Sequence, residues 1–570
     1  MQKKNRIPLI ASLIVAMVIS ACNQASDTDS TSKETDSSTK ETIYLGEVTS
    51  IKDDTIVLAL GTEKEMSEPP ASDESNTSKQ PEQSPPDNNG SAPSKLDLTG
   101  ESVEITITDD TKITVENSEN SNKGTVSDIE AGDVLSVTCE EDDSNAITVA
   151  IESASPGDAS MGEGPSDKES IDLSSAYTVD GKEETSDDET FSSSSKDENA
   201  ILVKNGGSLT LRKATITKSG DTSSANDSNF YGLNSIIAAN SGSSITVSDT
   251  EMSSDSEGSN GIFATGEGSK ITVSNVIIKT TADSARGLDA TYGGTIIAKN
   301  VEIETEGAHC AALATDRGEG TIAVTEGTLK TAGDGSPCIY STGNITAEKV
   351  TGTATGAQAA VIEGKNSITL IESDLTGSGE NGVMLYQSTS GDAAEGTSVL
   401  TVKDSILTSN SSGPMFYVTN TTAEVNLTNS QLSCQSDTLI DAAGNETNNW
   451  GTPGSNGGIL TFKASNQNLQ GKVKCDNISS VDLTLKDRST YLGAIDNDNT
   501  GEVSVSLDKN SIWDVADDSY VASLTDEDEK LENINSNGFN IYYDAGNSKN
   551  DWLDGKTITL QGGGKLAPVK

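Results

Sequence analysis

The chain has 570 residues, 89 acidic side chains against 38 basic ones, a formal net charge of -51 and only 4% aromatic residues. This balance excludes nucleic acid as a partner, because binding it rests on neutralising phosphates with Lys and Arg. The scarcity of aromatics excludes a thick aromatic core but suits a thin one of stacked β-branched side chains, and the length leaves room for more than one domain.

Residues 1–21 read as a targeting segment: Lys3, Lys4 and Arg6 form a basic start and 7–19 an apolar run. The string Ile19-Ser20-Ala21-Cys22 that follows resembles the lipobox of bacterial lipoproteins. That resemblance implies lipid transfer to the Cys22 sulfur and cleavage before it. It also implies an extracytoplasmic protein, held to the bacterial cell membrane by its lipid and exposed at the cell surface. An ordinary signal peptide with a chance cysteine is the alternative. Residues 22–41, almost free of apolar side chains, read as a disordered tether.

A small β unit is expected over 42–153, with alternating strands at 44–51, 55–60, 103–108, 112–115, 133–138 and 146–151. Together with the turn at 129–134, these six strands resemble the small OB-like β-barrels of bacterial envelope proteins. The Pro- and Ser-rich stretch 63–95 reads as a disordered loop on it. OB folds often bind oligomers through aromatic faces. Tyr44 is the sole aromatic before Ser153, so a pedestal is the expected role. Residues 154–171 read as linker.

From 172 one short phrase recurs about every 22 to 26 residues: an apolar strand, a glycine turn, an alternating strand, as at 261–275, 287–300 and 311–325. A fixed period of this length marks a solenoid. Anchoring on the alternating strand gives Leu209, Ile245, Ile271, Ile296, Ile322, Ile345, Ile368, Leu400, Val425, Leu460, Leu483 and Val505, about a dozen rungs. Gly and Asn turns with no helical stretch predict a parallel β-helix over 172–570. Residues 172–179 and the acidic run after them should form its amino-terminal cap. Phe263, Tyr340, Met384 and Phe416 share one repeat position and predict an aromatic stack within the rod.

Strings such as Ala290-Thr291-Tyr292-Gly293-Gly294, Ala314-Thr315-Asp316-Arg317-Gly318 and Trp450-Gly451-Thr452-Pro453-Gly454 resemble right-handed β-helix surface proteins of bacteria. Residues 483–491 with 505–513 are similar to the distal end of autotransporter passenger domains. The resemblance implies an all-β chain, a right-handed parallel β-helix preceded by the OB-like barrel, with an adhesin-like role toward a polysaccharide or surface protein. The chain departs from autotransporters in ending at Lys570 without a translocator barrel, a role the lipid anchor would take.

Little in the sequence points to catalysis. A Ser-His-Asp or Cys-His site would have to use His309, the one histidine, which reads as a turn residue. The Gly-His-Gly and Arg-Ile-Lys strings of pectin-degrading β-helix enzymes are absent, and a lyase base would have to come from Arg212, Arg286, Arg317 or Arg488. The expectation is therefore no enzyme and no catalytic residue. A polysaccharide lyase or hydrolase is one alternative and a non-binding spacer another.

Candidate ligand-binding residues are Asp289, Tyr292, Asp316, Arg317 and Trp450. The first four fall on consecutive rungs near Arg286, as either an acidic-sugar or calcium site or a surface ion-pair ladder worth little. Two insertions stand out, 391–397 after Tyr386 and 445–458, which carries Trp450; the tryptophan either stacks on a sugar or packs as a lid. Asp496 and Asp498 begin a stretch like a calcium loop, but Leu507 stands where an EF-hand needs its last carboxylate, so a polar turn competes. Calcium is thus the one cofactor left open. Five cysteines follow Cys22 with no metal-ligand spacing; Cys310 and Cys338, on neighbouring repeats, are either a disulfide or buried thiols.

Overall fold

A computed structural model describes residues 41–52, 55–63, 96–108, 111–117, 120–124, 129, 134–140, 146–152 and 171–569 except 448. Cys22 with its lipobox, the tether, most of the 63–95 loop and nearly all of the linker lie outside the described residues. The chain divides into two compact units, 1–159 and 160–570.

The first unit is a seven-stranded sheet. Its order is Leu96–Thr106, Thr55–Glu63, Glu41–Lys52, Val134–Glu140, Ala146–Glu152, Lys112–Asn117 and Asn120–Gly124. All neighbours run antiparallel except Ala146–Glu152 against Lys112–Asn117. Its alternation buries Val48, Ile56, Leu58, Ile105, Leu135, Val137 and Val149. The strand Asn120–Gly124 escapes pattern reading because it carries no apolar alternation; it follows its neighbour through a tight hairpin at Asn117 and Asn120. The outermost strands, Leu96–Thr106 and Asn120–Gly124, are not paired with each other among the described residues.

The second unit is a parallel β-helix. Each regular rung has a short strand, a tight corner, then a long strand bent at its middle. Short strands stack into a 12-stranded sheet and long ones into a 19-stranded sheet. Ile262–Thr265 and Lys270–Thr280 form one such rung, Leu288–Thr291 and Thr295–Thr305 the next. Alternation along the long strand points Ile271, Val273 and Ile278 inward, and each pairs with its equivalent one rung on. The interior is thus a set of apolar columns. Each fully buried Ile, Val or Leu contributes about 1.5–3 kcal/mol relative to exposure.

The bend depends on a residue in the left-handed region, where Asn and Asp are tolerated better than other side chains. Asp249, Asn275 and Asn300 occupy it on successive rungs with φ near 52–54°. Their side chains form a ladder along the rod: Asn275 Nδ2 donates to Asp249 Oδ1 at 2.9 Å, and Asn300 Nδ2 to Asn275 Oδ1 at 2.9 Å. Asn429 and Asn466 repeat the pattern farther along. Glycines set the corner where rungs touch most closely: a Cβ on Gly320 would stand 2.1 Å from the Ala290 carbonyl oxygen.

The anchor column from Leu209 to Val425 is continuous in register, as the sequence predicts. Beyond it one assignment changes: Val425 pairs with Phe462, not Leu460, and the column runs on through Leu483 and Val505 to Leu524. A two-residue offset keeps side-chain parity, so alternation cannot detect it. The aromatic position also changes. Phe263, Tyr340 and Met384 do share a column, but it lies on the outer face of the short-strand sheet, and its member on the next rung is Tyr417. Phe416 points inward onto Phe462, ring centroids 5.4 Å apart.

The expected amino-terminal cap is a rung in its own right. Ser174–Asp180 pairs with Glu198–Lys204, Glu183–Asp187 with Ser208–Arg212 and Thr190–Ser193 with Thr215–Lys218. Nearby, Lys218 is 2% exposed, its Nζ donating to the carbonyls of Ser195, Ser219 and Gly220. Near the carboxyl end the interior widens and is filled by Tyr491 and Trp513, which stack with centroids 6.2 Å apart. The last short strands, Ile541–Tyr543 and Lys565–Pro568, are met by Ile558–Thr559 running antiparallel.

Two helical segments among the described residues depart from the expected absence of any: a 3-10 helix at Ser548–Leu553 and one α-helix. Ala225–Tyr231 is capped by Ser224, whose Oγ accepts from Asp227 N at 3.1 Å, and ended by Gly232 at φ 81°. Ser and Gly at those two places are ordinary helix-boundary residues; in so polar a segment they carry no apolar period to reveal them.

Candidate functional site

The outer face of the short-strand sheet is where the chain departs most from a plain rod. Its central column reads Leu202, Ala238, Phe263, Asp289, Ala314, Tyr340, Val361, Met384, Tyr417 and Asp441. An outward row should be wet, yet Phe263 and Asp289 are fully buried and Val361 and Met384 nearly so. Three insertions cover them. The helix Ala225–Tyr231 arrives from one side, and the loops 387–396 and 443–457 leave from the opposite corner, where other rungs turn in a few residues.

These covers are joined hand to hand. Thr291 Oγ1 donates to the Phe230 carbonyl at 2.9 Å, and Tyr231 stacks on Tyr292 at 5.6 Å. The Arg317 guanidinium lies 4.0 Å above the Phe230 ring. Arg317 also donates from Nε and Nη2 to Asp392 Oδ1, at 3.0 and 2.6 Å, tying the helix to the 387–396 loop. That loop accepts and donates in turn: Thr389 N bonds the Asn449 carbonyl at 2.7 Å, and Asn420 Nδ2 bonds the Gln387 carbonyl at 2.7 Å.

Beneath this roof lies a buried ion cluster. Arg286 Nη1 donates to Asp289 Oδ2 at 3.0 Å and to Asp316 Oδ2 at 2.5 Å. Asp289 is 0% and Asp316 3% exposed, and Asp289 Oδ1 has no hydrogen-bond partner. Burial holds both carboxyls above the usual carboxylate range, and Arg286 pulls each back. Two carboxylates share one cation, so the cluster is acid-rich and dry.

Glu363 anchors the second half of the face. It accepts from the Tyr340 hydroxyl at 2.5 Å, the Tyr386 hydroxyl at 2.8 Å, the Ser388 amide at 3.3 Å and the Ser388 hydroxyl. Burial, with Glu363 alongside, pushes both phenols well above their ordinary value, so they remain protonated donors. Trp450 rests on this group, 4.8 Å from the Tyr386 ring, packed with Val361, Met384, Tyr340 and Tyr417. It is half-buried.

The five candidate ligand-binding residues therefore lie along one face. Asp289 and Asp316 meet on Arg286; Tyr292 and Arg317 meet the helix; Trp450 covers Tyr386. Asp496 lies at the far end of the same column, in a small hollow of about 180 Å³ with Asp441, Lys474, Asp476 and exposed Asp498. Its Oδ1 accepts from Thr500 N and its Oδ2 from Gly501 N, both at 3.0 Å, so its oxygens close their own turn. No group of acidic, His or Cys side chains among the described residues is arranged to hold a metal ion. His309 is an exposed turn residue at φ 56°. Cys310 and Cys338 are both free and buried; burial pushes each thiol up to about 12.

Phe230, Tyr231, Glu363 and Asp392 were not singled out from sequence. Each acts across 23 or more residues of chain, joining rungs or insertions rather than repeat neighbours. The available signal was loop length alone: 391–397 after Tyr386 and 445–458 around Trp450 both interrupt an otherwise regular corner. Comparison of the chain with family models, curated proteins and solved structures finds no match.

Proposed function

We propose that this chain is a lipid-anchored, extracytoplasmic surface protein that binds a glycan, or a glycan-bearing host or neighbour surface, through the short-strand face of its β-helix. The observation that carries this reading is the gathering of three insertions, 225–231, 387–396 and 443–457, over one face. Half-buried Tyr340, Tyr417, Tyr292 and Trp450 emerge there among hydrogen-bonding groups. Aromatic bodies with polar tips, fixed in place by packing, are the groups that recognise sugars.

The arginines support binding over bond cleavage. Arg286 is engaged by Asp289 and Asp316, and Arg317 by Asp392, so both serve to hold the covered face together. The test is a panel of plant, mucin and bacterial polysaccharides presented to the chain with and without calcium, reading binding and new chain ends in the same samples. Saturable binding without new ends is expected. New chain ends would replace this reading with a polysaccharide-degrading one, and silence throughout would favour a spacer or a protein-binding adhesin.

A further inference from the structure

Between the loops 387–396 and 443–457 lies an open crevice of about 620 Å³, floored by Thr421, Thr422 and Ile459. That volume falls in the range of small-ligand sites, and two of its features define what it can hold. The first is Gln387, 8% exposed. Its Nε2 donates to the carbonyls of Ser388 at 2.9 Å and Ala393 at 3.1 Å, which fixes the amide, and its Oε1 is left without a donor. That acceptor is itself shut off from solvent, so Gln387 braces the crevice wall, and the exposed Thr389 and Thr422 are the hydroxyl-bearing residues on the open side.

The second is Ile459, 53% exposed at the floor of an otherwise polar hollow, beside Thr422 on the neighbouring strand. An apolar pad set among hydroxyls and backbone groups matches the C–H face of a sugar ring, whose rim carries hydroxyls. Charge narrows the class further. Glu395 is the one ionisable side chain lining the crevice, in a protein with a net charge of -51. No lysine or arginine among the lining residues is present to receive a carboxylate or sulfate.

We propose that this crevice is a subsite for one or two neutral or amine-bearing sugar units, with Ile459 packing against the ring face and the hydroxyls of exposed Thr389 and Thr422 meeting its rim. Uronate and sulfated glycans are repelled. The inference rests on the glycan-binding reading above and locates it.

The test uses the full chain titrated with three probes: a neutral β-glucan oligosaccharide, a chitosan oligosaccharide and polygalacturonate. Two variants block the crevice or remove its apolar pad at exposed positions, Thr422→Trp and Ile459→Ser, with circular dichroism and thermal midpoint confirming an unchanged fold. Saturable binding of the glucan or chitosan probe, weakened at least tenfold by either variant, with polygalacturonate unbound, is the expected result. Binding that both variants leave unchanged would remove the crevice as the site while leaving glycan binding intact. A preference for polygalacturonate would overturn the assigned charge class. No binding to any probe by the unmodified chain would take the glycan-binding reading down together with the subsite.

Discussion

Replacing Arg286 by Met removes the one cation shared by Asp289 and Asp316, in a place where neither carboxylate reaches water. Breaking a buried ion pair from one side typically costs about 3–5 kcal/mol, because the remaining charges are left uncompensated. The cost should depend on pH in a definite direction. In the unfolded chain both aspartates titrate near their usual value, about 3.9. In the folded variant, without Arg286, both are raised further than in the parent. Near pH 4 the carboxyls are largely neutral in the fold, and the penalty shrinks toward the loss of two hydrogen bonds, about 1–3 kcal/mol. Near pH 8 the full penalty applies. Urea unfolding followed by circular dichroism at both pH values reads the difference. Solenoids do not always unfold in one step, so hydrogen exchange of the amides at 288–291 and 313–315 would localise it. A loss below about 1 kcal/mol, or one equal at both pH values, would refute the idea of a dry cluster and return these residues to a surface ladder. Adding Asp289→Asn and Asp316→Asn to the Met variant should recover most of the loss.

Three further expectations follow from the same geometry. Asp289→Asn in the parent should flatten the pH dependence of stability between roughly pH 4 and pH 7. Its folded pKa is raised, so its contribution is full below the unfolded value and is lost as pH rises through the folded one; an unchanged slope in a pH series of thermal midpoints would oppose this. Asn275→Ala should lower stability by about 1–2 kcal/mol through its left-handed backbone and two ladder bonds, and Asn275→Gly by less, as denaturant midpoints would show. Among the five described cysteines, thiol labelling of the native protein should modify Cys434 first, since Cys139, Cys310, Cys338 and Cys475 are buried; rapid modification of Cys310 would contradict its burial.

The rod itself was legible because its periodicity is enforced twice over. Ile271, Ile296 and Ile322 alternate with polar residues along each strand and recur at the rung spacing, so both the strand and the stack leave a trace in sequence. Phe462 escaped because a slip of two leaves the alternation intact. Asp289 and Asp316 were visible as charges on consecutive rungs, but their burial was not, because it depends on covers that arrive from residues 225–231, 387–396 and 443–457. Glu363 looked like any acidic residue near a corner; nothing local distinguishes it from Glu348, which is only half-buried and paired with Lys349. Tertiary cover, unlike rung stacking, has no period to read.

The corner after the short strand has a wider consequence. It spans two residues at 342–343, ten at 387–396 and fifteen at 443–457, while the columns beneath keep their register. Lengthening a loop costs little more than a logarithmic entropy term, so this corner can accept or discard whole segments without disturbing a core side chain. The apolar columns and the Asn ladder then behave as a chassis, and the covers as interchangeable fittings. Lineages carrying this rod could diverge in what they hold while remaining nearly identical in how they fold.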